Sequence, residues 1–296
     1  MVHNSQLQNA DAAILYIMGQ SNAHAHEQPL PEAERITVPL KNVHTLHCDE
    51  NQSFDIDHVV WSGFTTAGYN LGETQDHTAS LAYYTAKMWQ AAIDSGEQLP
   101  DLYIVQISIG AQAMFIGRDG YGTGMWSMDK PKILKPGTLL EVDIALYPLA
   151  MHIIRLVRQD LENRFRAVFQ LGLHWVGSTQ DGAKGWEQIP DLQGAYDRFF
   201  DAIMGALGKD CPLAMYRKES INSPNADPAA MAAVNAIFDR QCTRFPGAYL
   251  VSVSRSPLWK DDDPYLGVFS ADNVHYHAGT QRWFAEILLK RYGVIA

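Results

Sequence analysis

The stretch that decides the fold is AAILYIMGQSN, residues 12–22. Its first seven residues are apolar or aromatic without interruption, and Gly19 follows them directly. An unbroken run of this kind is typical of a strand that is buried on both faces of a parallel sheet. Residues 12–18 therefore predict a central strand, and the glycine after it predicts a tight turn.

Further apolar runs alternate with helical patterns along the rest of the chain. The runs predict strands over residues 102–109, 167–175, 213–216 and 248–253. Between them, apolar side chains recur near a 3.6-residue period and predict helices. The predicted helices cover residues 78–95, 142–163, 191–207, 229–242 and 281–291, with Pro148 marking either the true start of the second or a kink in it. This alternation predicts an α/β fold, a three-layer αβα sandwich around a central parallel sheet of about five strands.

Composition indicates a globular protein and excludes several partners. The chain has 296 residues and a formal net charge of −10, with 23 Lys and Arg against 33 Asp and Glu. Because nucleic-acid affinity rests on clustered Lys and Arg, we expect no nucleic-acid partner. No apolar run approaches the ~18 residues of a membrane helix, so we expect no membrane partner. Residues 1–11 lack the regions of a signal peptide, which predicts a cytoplasmic protein or one whose leader lies outside this sequence.

We expect one domain over residues 1–296, with long loops at residues 23–77 and 114–138. The second loop combines glycines and prolines with aromatic residues, Trp126 among them. This favours a role facing the substrate, the alternative being a surface loop packed on its own aromatics. The first loop contains several histidines, from His24 and His26 to His58. Their spacing matches no recognised metal motif, and we expect no metal.

Candidate catalytic residues follow the first and the last predicted strands. Ligands of open parallel sheets bind at the carboxyl ends of the strands, and Ser21 stands at such an end. A serine nucleophile needs a base, and His275 is the best placed of the 11 histidines. Asp272 lies three residues before it and can orient the imidazole. We therefore predict Ser21, His275 and Asp272 as nucleophile, base and acid, with His277 as an alternative base.

On these residues the chain resembles the SGNH hydrolases, and most closely their sialate O-acetylesterase and acetylxylan esterase branch. That branch has a Gly-Gln-Ser-Asn block after its first strand and an Asp-x-x-His block near its end, and residues 19–22 and 272–275 match both. The resemblance implies the flavodoxin-like SGNH fold and a Ser-His-Asp esterase without a cofactor. It implies an acetylated glycan or small acetylated sugar as substrate, and we expect Gln20, Asn22 and Trp126 to contact it.

Two middle blocks of the family match less closely. Gly110-Ala111-Gln112 stands where the family has Gly-Gly-Thr, a turn whose backbone N–H helps to form the oxyanion hole. The resemblance therefore implies that the N–H groups of Ser21 and Gly110 form this hole. Residues 174–178 (HWVGS) stand where the family has Trp-x-Gln-Gly-Glu. The glutamine is missing, and Gln180, Ser178 or His174 could substitute for it as the side-chain donor. An oxyanion donor of this kind contributes roughly 10²–10³-fold to rate.

The altered third block keeps an alternative open, namely a carbohydrate-binding protein on the same fold that has lost hydrolysis. A lipase or thioesterase of the wider superfamily is a weaker alternative, since many lipolytic relatives have Gly-Asp-Ser instead of Gly-Gln-Ser-Asn. The identity of the sugar stays open. Arg118 is the one candidate in the second long loop for binding a sialate carboxylate, and the favoured alternative is an arginine that simply lies on the surface.

Overall fold

Strand β1 (Ala12–Gly19) lies inside a mostly parallel sheet, and all eight of its residues are buried. The structure is a computed structural model that describes residues 4–26, 28–46, 58–66, 71–72, 77–115, 126–129, 145–182, 189–219, 227–260 and 267–296. Because β1 has strands on both sides and helices over both faces, none of its positions needs a polar residue. This explains the unbroken apolar run.

The remaining strands are β2 (Val43–Leu46), β3 (Trp61–Gly63), β4 (Leu71–Gly72), β5 (Asp101–Ser108), β6 (Val168–Val176), β7 (Leu213–Tyr216) and β8 (Ala248–Val251). The sheet has the order β3-β2-β5-β1-β6-β7-β8, with β4 paired to β5. The five predicted strands are all present and, counted alone, follow the order 2-1-3-4-5 of flavodoxin-like sheets. All pairings are parallel except that of β2 with β3.

The sheet is larger than the predicted five strands. Strands β2, β3 and β4 come from residues 23–77, for which the sequence predicts a loop. They have only 4, 3 and 2 residues, so no alternating pattern can develop within them. Of the second predicted loop, residues 116–125 and 130–138 lie outside the described part of the chain, as does Arg118.

Alternate residues of β1 enter two separate cores. Ala12, Ile14, Tyr16 and Met18 pack into one core, and Ala13, Leu15 and Ile17 into the other. The first core also contains side chains of α4 (Leu146–Arg164), α5 (Leu192–Leu207) and α6 (Pro228–Arg244), and the second those of α3 (Leu81–Asp94) and α7 (Ala278–Arg291). Helices thus cover both faces of the sheet, and the predicted αβα sandwich is confirmed.

Helix boundaries follow local capping chemistry. The side chain of Ser80 accepts a hydrogen bond from the Tyr83 amide at the start of α3, and Asp227 caps α6 ahead of Pro228. Pro148 lies in the first turn of α4, where its missing N–H breaks no helical bond. The shorter helices are α1 (Asn4–Gln8) and α2 (Ser21–His24). Among the described residues, no helix has the length and apolar character that crossing a bilayer requires.

Candidate active site

Ser21 is presented by a sharp turn at the carboxyl end of β1. Gly19 has φ 149°, and a Cβ at this position would overlap the Val176 carbonyl on the neighbouring strand, so the turn requires glycine. Gln20 is extended, and α2 begins directly at Ser21. The N–H of Ser21 therefore lies in the first turn of a helix, where backbone amides have no helical acceptor.

Asp272 and His275 lie in a compact loop before α7. An isolated β-bridge between Phe269 and Tyr276 closes this loop, and the Ser270 amide donates to the His275 carbonyl at 2.7 Å. Inside it, Oδ1 of Asp272 accepts hydrogen bonds from the Ser270 hydroxyl at 2.6 Å and from the amides of Val274 and His275 at 2.9 and 3.0 Å. One carboxylate oxygen thus organises the loop and leaves the other oriented toward the histidine.

The three predicted catalytic residues lie in hydrogen-bonding contact. Oδ2 of Asp272 is 2.5 Å from Nδ1 of His275, and Nε2 of His275 is 2.8 Å from the Ser21 hydroxyl. Partial burial raises the pKa of Asp272, but the hydrogen bonds from Ser270, His275 and Val274 outweigh it and hold this pKa far below its usual range. Asp272 is therefore a carboxylate at neutral pH and can stabilise a proton on His275.

Asn22 links the turn that carries Ser21 to this loop. Its Nδ2 donates to the Val274 carbonyl at 3.0 Å, and its Oδ1 accepts from the Tyr276 amide at 2.8 Å. Its backbone carbonyl accepts from the side chain of Gln281, on α7, at 2.9 Å. Both ends of the amide are used inside the protein, which contradicts the prediction that Asn22 contacts substrate.

Gln20 links the turns that follow β5 and β6. Its Nε2 donates to the Gln112 carbonyl, and its Oε1 accepts from the Thr179 amide at 2.9 Å. The side chain is 2% exposed. Gln20 borders the cavity described below while its polar atoms bond within the protein, and its contact with substrate stays a prediction.

Trp126 belongs to the core. It is 1% exposed, its indole N–H donates to the Gly19 carbonyl at 3.0 Å, and its ring packs against Trp175 and Phe199. The prediction that it faces substrate is therefore wrong. Trp126 instead supports the turn below Ser21 through its hydrogen bond to Gly19.

A cavity of about 210 Å³ opens at Ser21 and His275. Its walls come from the ends of β1, β5 and β6 and from the last loop, with lining residues Gln20, Ser21, His26, Gly110, Ala111, Thr179, Gln180, Val274 and His275. A larger cavity of about 580 Å³, bordered by Gln6, Arg158 and Arg291, contains none of the predicted catalytic residues. The smaller cavity is therefore the one that contains Ser21 and His275.

The structure separates the three candidates for the missing side-chain donor. Gln180 borders the cavity. Ser178 is buried and its hydroxyl accepts from the Trp175 indole at 2.9 Å. His174 is buried in β6, where Nδ1 is 2.7 Å from the Tyr216 hydroxyl, and burial lowers its pKa to about 3. Only Gln180 has access to a bound substrate.

His277, the alternative base, has a structural place. Its Nδ1 accepts from the Gly279 amide at 3.2 Å and caps the N-terminus of α7. The contact with Ser21 belongs to His275.

Asp181 and Lys218 are buried near the cavity and carry no motif in the sequence. Asp181 accepts from the Met114 amide at 3.1 Å and from the Tyr196 hydroxyl at 2.7 Å, and so fixes the loop after β5. Lys218 follows β7. Burial lowers its pKa to about 7, and the negative charge of Asp181 offsets only part of this effect.

In the described part of the chain, no group of three or more His, Cys, Asp and Glu side chains is placed to hold a metal ion.

Comparison with known proteins identifies the fold. No family model matches the sequence, and no curated protein does. Among solved structures, NanS is similar with a TM-score of 0.62 at 15% identity, over 96% of this chain and 98% of that one. The chain therefore shares the fold of NanS. A protein from Arabidopsis thaliana is similar with a TM-score of 0.57 at 12% identity, over 95% and 97%. An acetyl xylan esterase from Geobacillus stearothermophilus matches more weakly, with a TM-score of 0.46 at 9% identity over 96% and 95%.

Proposed function

We propose that the chain is an SGNH-type serine esterase that removes O-acetyl groups from a carbohydrate. The observation that carries the proposal is the contact series from Asp272 through His275 to Ser21, with distances of 2.5 and 2.8 Å. The 2.8 Å between Ser21 and His275 falls within the range that proton transfer between a nucleophile and its base requires. The series ends at a cavity that a small ester can enter.

In the proposed reaction, the Ser21 hydroxyl oxygen attacks the acyl carbon while Nε2 of His275 takes its proton. The tetrahedral intermediate collapses, the bond to the alcohol oxygen breaks, and His275 returns the proton to that oxygen. A water molecule then attacks the acetyl-enzyme and gives a proton to His275. Collapse of the second intermediate releases acetate, and Ser21 regains its proton. Asp272 keeps the imidazole oriented and stabilises its charged form throughout.

The negative charge on the acyl oxygen requires donors in fixed positions. We assign this role to the N–H groups of Ser21 and Gly110, with Gln180 replacing the glutamine of the family's third block. Ser21 supports the assignment because its amide opens a helix, and Gly110 and Gln180 because both line the cavity. Gln20 bonds to the two turns that carry Gly110 and Gln180, and it keeps them in register with Ser21.

Acetate release from acetylated glycans tests the proposal. Wild-type protein is expected to release acetate and to hydrolyse p-nitrophenyl acetate, and Ser21→Ala is expected to lower kcat by at least about 10³-fold. Ser5→Ala, at an exposed position in α1, is the matched control and should retain full activity. Full activity of Ser21→Ala would exclude the mechanism.

The altered third block favours one other function, a carbohydrate-binding protein without hydrolysis. A fluorophosphonate probe separates the two, because it labels only a serine that a base activates. Labelling at Ser21 supports the esterase. Glycan binding by a protein that the probe does not label supports the binding protein.

A further inference from the structure

His26 lies beside the base of the proposed triad, and the mechanism gives it no task. Its ring centroid is 4.9 Å from that of His275, with the two planes tilted by 54°. It lines the same cavity as Ser21 and is exposed to solvent. His24, two residues earlier, is instead buried and contacts the Ser108 hydroxyl at 3.1 Å. His26 is thus the histidine of this pair that a bound substrate can reach.

The backbone holds His26 in this place through a strained residue. Ala25 has φ 61° and ψ 57°, a left-handed conformation that alanine rarely adopts. The amide of His26 then donates to the Ser21 carbonyl at 3.1 Å, which ties the histidine back to the nucleophile. Strain of this kind persists where the surrounding structure enforces it, and it concentrates at functional sites.

The position beside His275 corresponds to the alcohol half of an ester. In the proposed reaction the acyl oxygen faces the amides of Ser21 and Gly110, whereas the leaving oxygen must face Nε2 of His275. A ring in contact with His275 therefore lies next to the alcohol. An imidazole can donate or accept a hydrogen bond, which suits a hydroxyl group.

We propose that His26 binds a free hydroxyl on the alcohol half of the ester and thereby selects esters of polyhydroxy alcohols. This inference rests on the proposed function and adds a specificity-determining residue to it. His26 contacts the substrate directly and takes no part in the transfer of the proton.

Two small acetates test the inference, glycerol monoacetate and propyl acetate. Both have an acetyl group and a three-carbon alcohol, and they differ in the free hydroxyls of glycerol. Wild-type protein is expected to have the higher kcat/KM for glycerol monoacetate. His26→Ala should lower the ratio of the two kcat/KM values by about five- to tenfold, mainly through the KM for glycerol monoacetate. His26→Gln, whose amide can donate and accept, should restore part of the ratio.

His58→Ala is the control, because His58 is an exposed histidine that does not line the cavity. It should leave both kcat/KM values unchanged. An unaltered ratio in His26→Ala overturns the inference, as does an equal loss on both esters, which would indicate an effect through His275. A wild-type ratio near one, with both esters hydrolysed and Ser21 labelled by a fluorophosphonate, overturns the inference and leaves the esterase intact. Hydrolysis of neither ester, without labelling, overturns both.

Discussion

At the scale of single residues, the two oxygens of Asp272 have separable roles. Oδ1 accepts three hydrogen bonds within its own loop, and Oδ2 faces Nδ1 of His275. Asparagine can retain the first role, since its carbonyl oxygen accepts the same bonds. It reverses the second, since its NH₂ donates toward Nδ1 and moves the imidazole proton to Nε2, where His275 can no longer take the proton of Ser21.

We therefore expect Asp272→Asn to lower kcat on p-nitrophenyl acetate by about 10³–10⁴-fold with little change in Tm. Asp272→Ala is the companion variant, and it should lower Tm as well because it removes the loop bonds. Steady-state kinetics and thermal unfolding of both variants provide the measurement. Retention of more than a tenth of the activity in Asp272→Asn would mean that Asp272 does not orient His275.

The proposed catalytic residues were accessible from the sequence, and the residues that support them were not. Ser21 and His275 carry short motifs after predictable strands. Gln20 and Asn22 lie in the same motif, but their partners are 92 and 252 residues away in the chain. Nothing local distinguishes an amide that bonds to protein from one that bonds to substrate, and the motif predicts contact with substrate for both. Trp126 shows the same ambiguity, because its indole N–H suits either setting.

At the scale of secondary-structure elements, Asn22 connects α2 to the loop that carries His275, the proposed base. Asn22→Ala leaves the buried amide of Tyr276 without its acceptor, which costs about 1–3 kcal/mol. The loop can then shift, and an error near 1 Å in the position of His275 costs about 10²-fold in rate. We expect lower kcat and lower Tm together, measured by p-nitrophenyl acetate hydrolysis and thermal unfolding.

Asn9→Ala is the matched control, because the amide of Asn9 also donates to one carbonyl, that of Ser5 at 2.6 Å, but in an exposed setting. Asn9→Ala should change neither kcat nor Tm appreciably. Loss of Tm in Asn22→Ala with full kcat would show that the loop keeps its place without this link.

Elements with an apolar run or a helical period were predictable, and short strands without either were not. The five predicted strands and five predicted helices are all present, because each combines several apolar positions at one period. Strands β2, β3 and β4 depend instead on pairing with each other and with β5, an edge already formed by distant residues. Their sequences carry little of the information that orders them.

At the scale of the whole molecule, the candidate site joins the two ends of the chain. Ser21 follows the first strand of the sheet and His275 precedes the last helix, 254 residues later. The 2-1-3-4-5 order places β1 between β5 and β6, so the turns after all three strands meet at one edge. The proposed activity therefore requires the complete sheet, and we expect conditions that destabilise its core to abolish it even when Ser21, His275 and Asp272 are unchanged.

His174 makes the stability of this core depend on pH. It is buried in β6 between the hydroxyls of Tyr216 and Tyr249, and burial lowers its pKa from 6.5 to about 3. Above pH 6.5, neither the folded nor the unfolded chain binds a proton here, so His174 adds no pH dependence. Between 6.5 and about 3 only the unfolded chain binds it, and the free energy of unfolding falls with acidification by up to about 1.4 kcal/mol per pH unit.

We expect His174→Gln to be less stable than wild type at pH 7.5, because it disturbs the contacts with the two tyrosines, but to lose less stability on acidification. Urea unfolding at pH 7.5, 6.0, 5.0 and 4.5 measures the free energy of unfolding of both proteins. The difference between their slopes of this free energy against pH reports the one proton that His174 binds on unfolding. His58→Gln controls for the removal of any histidine, since the side chain of His58 is exposed. Equal slopes in wild type and His174→Gln would mean that the folded core accommodates a protonated His174, and the buried histidine would then place no acid limit on the sheet that assembles the site.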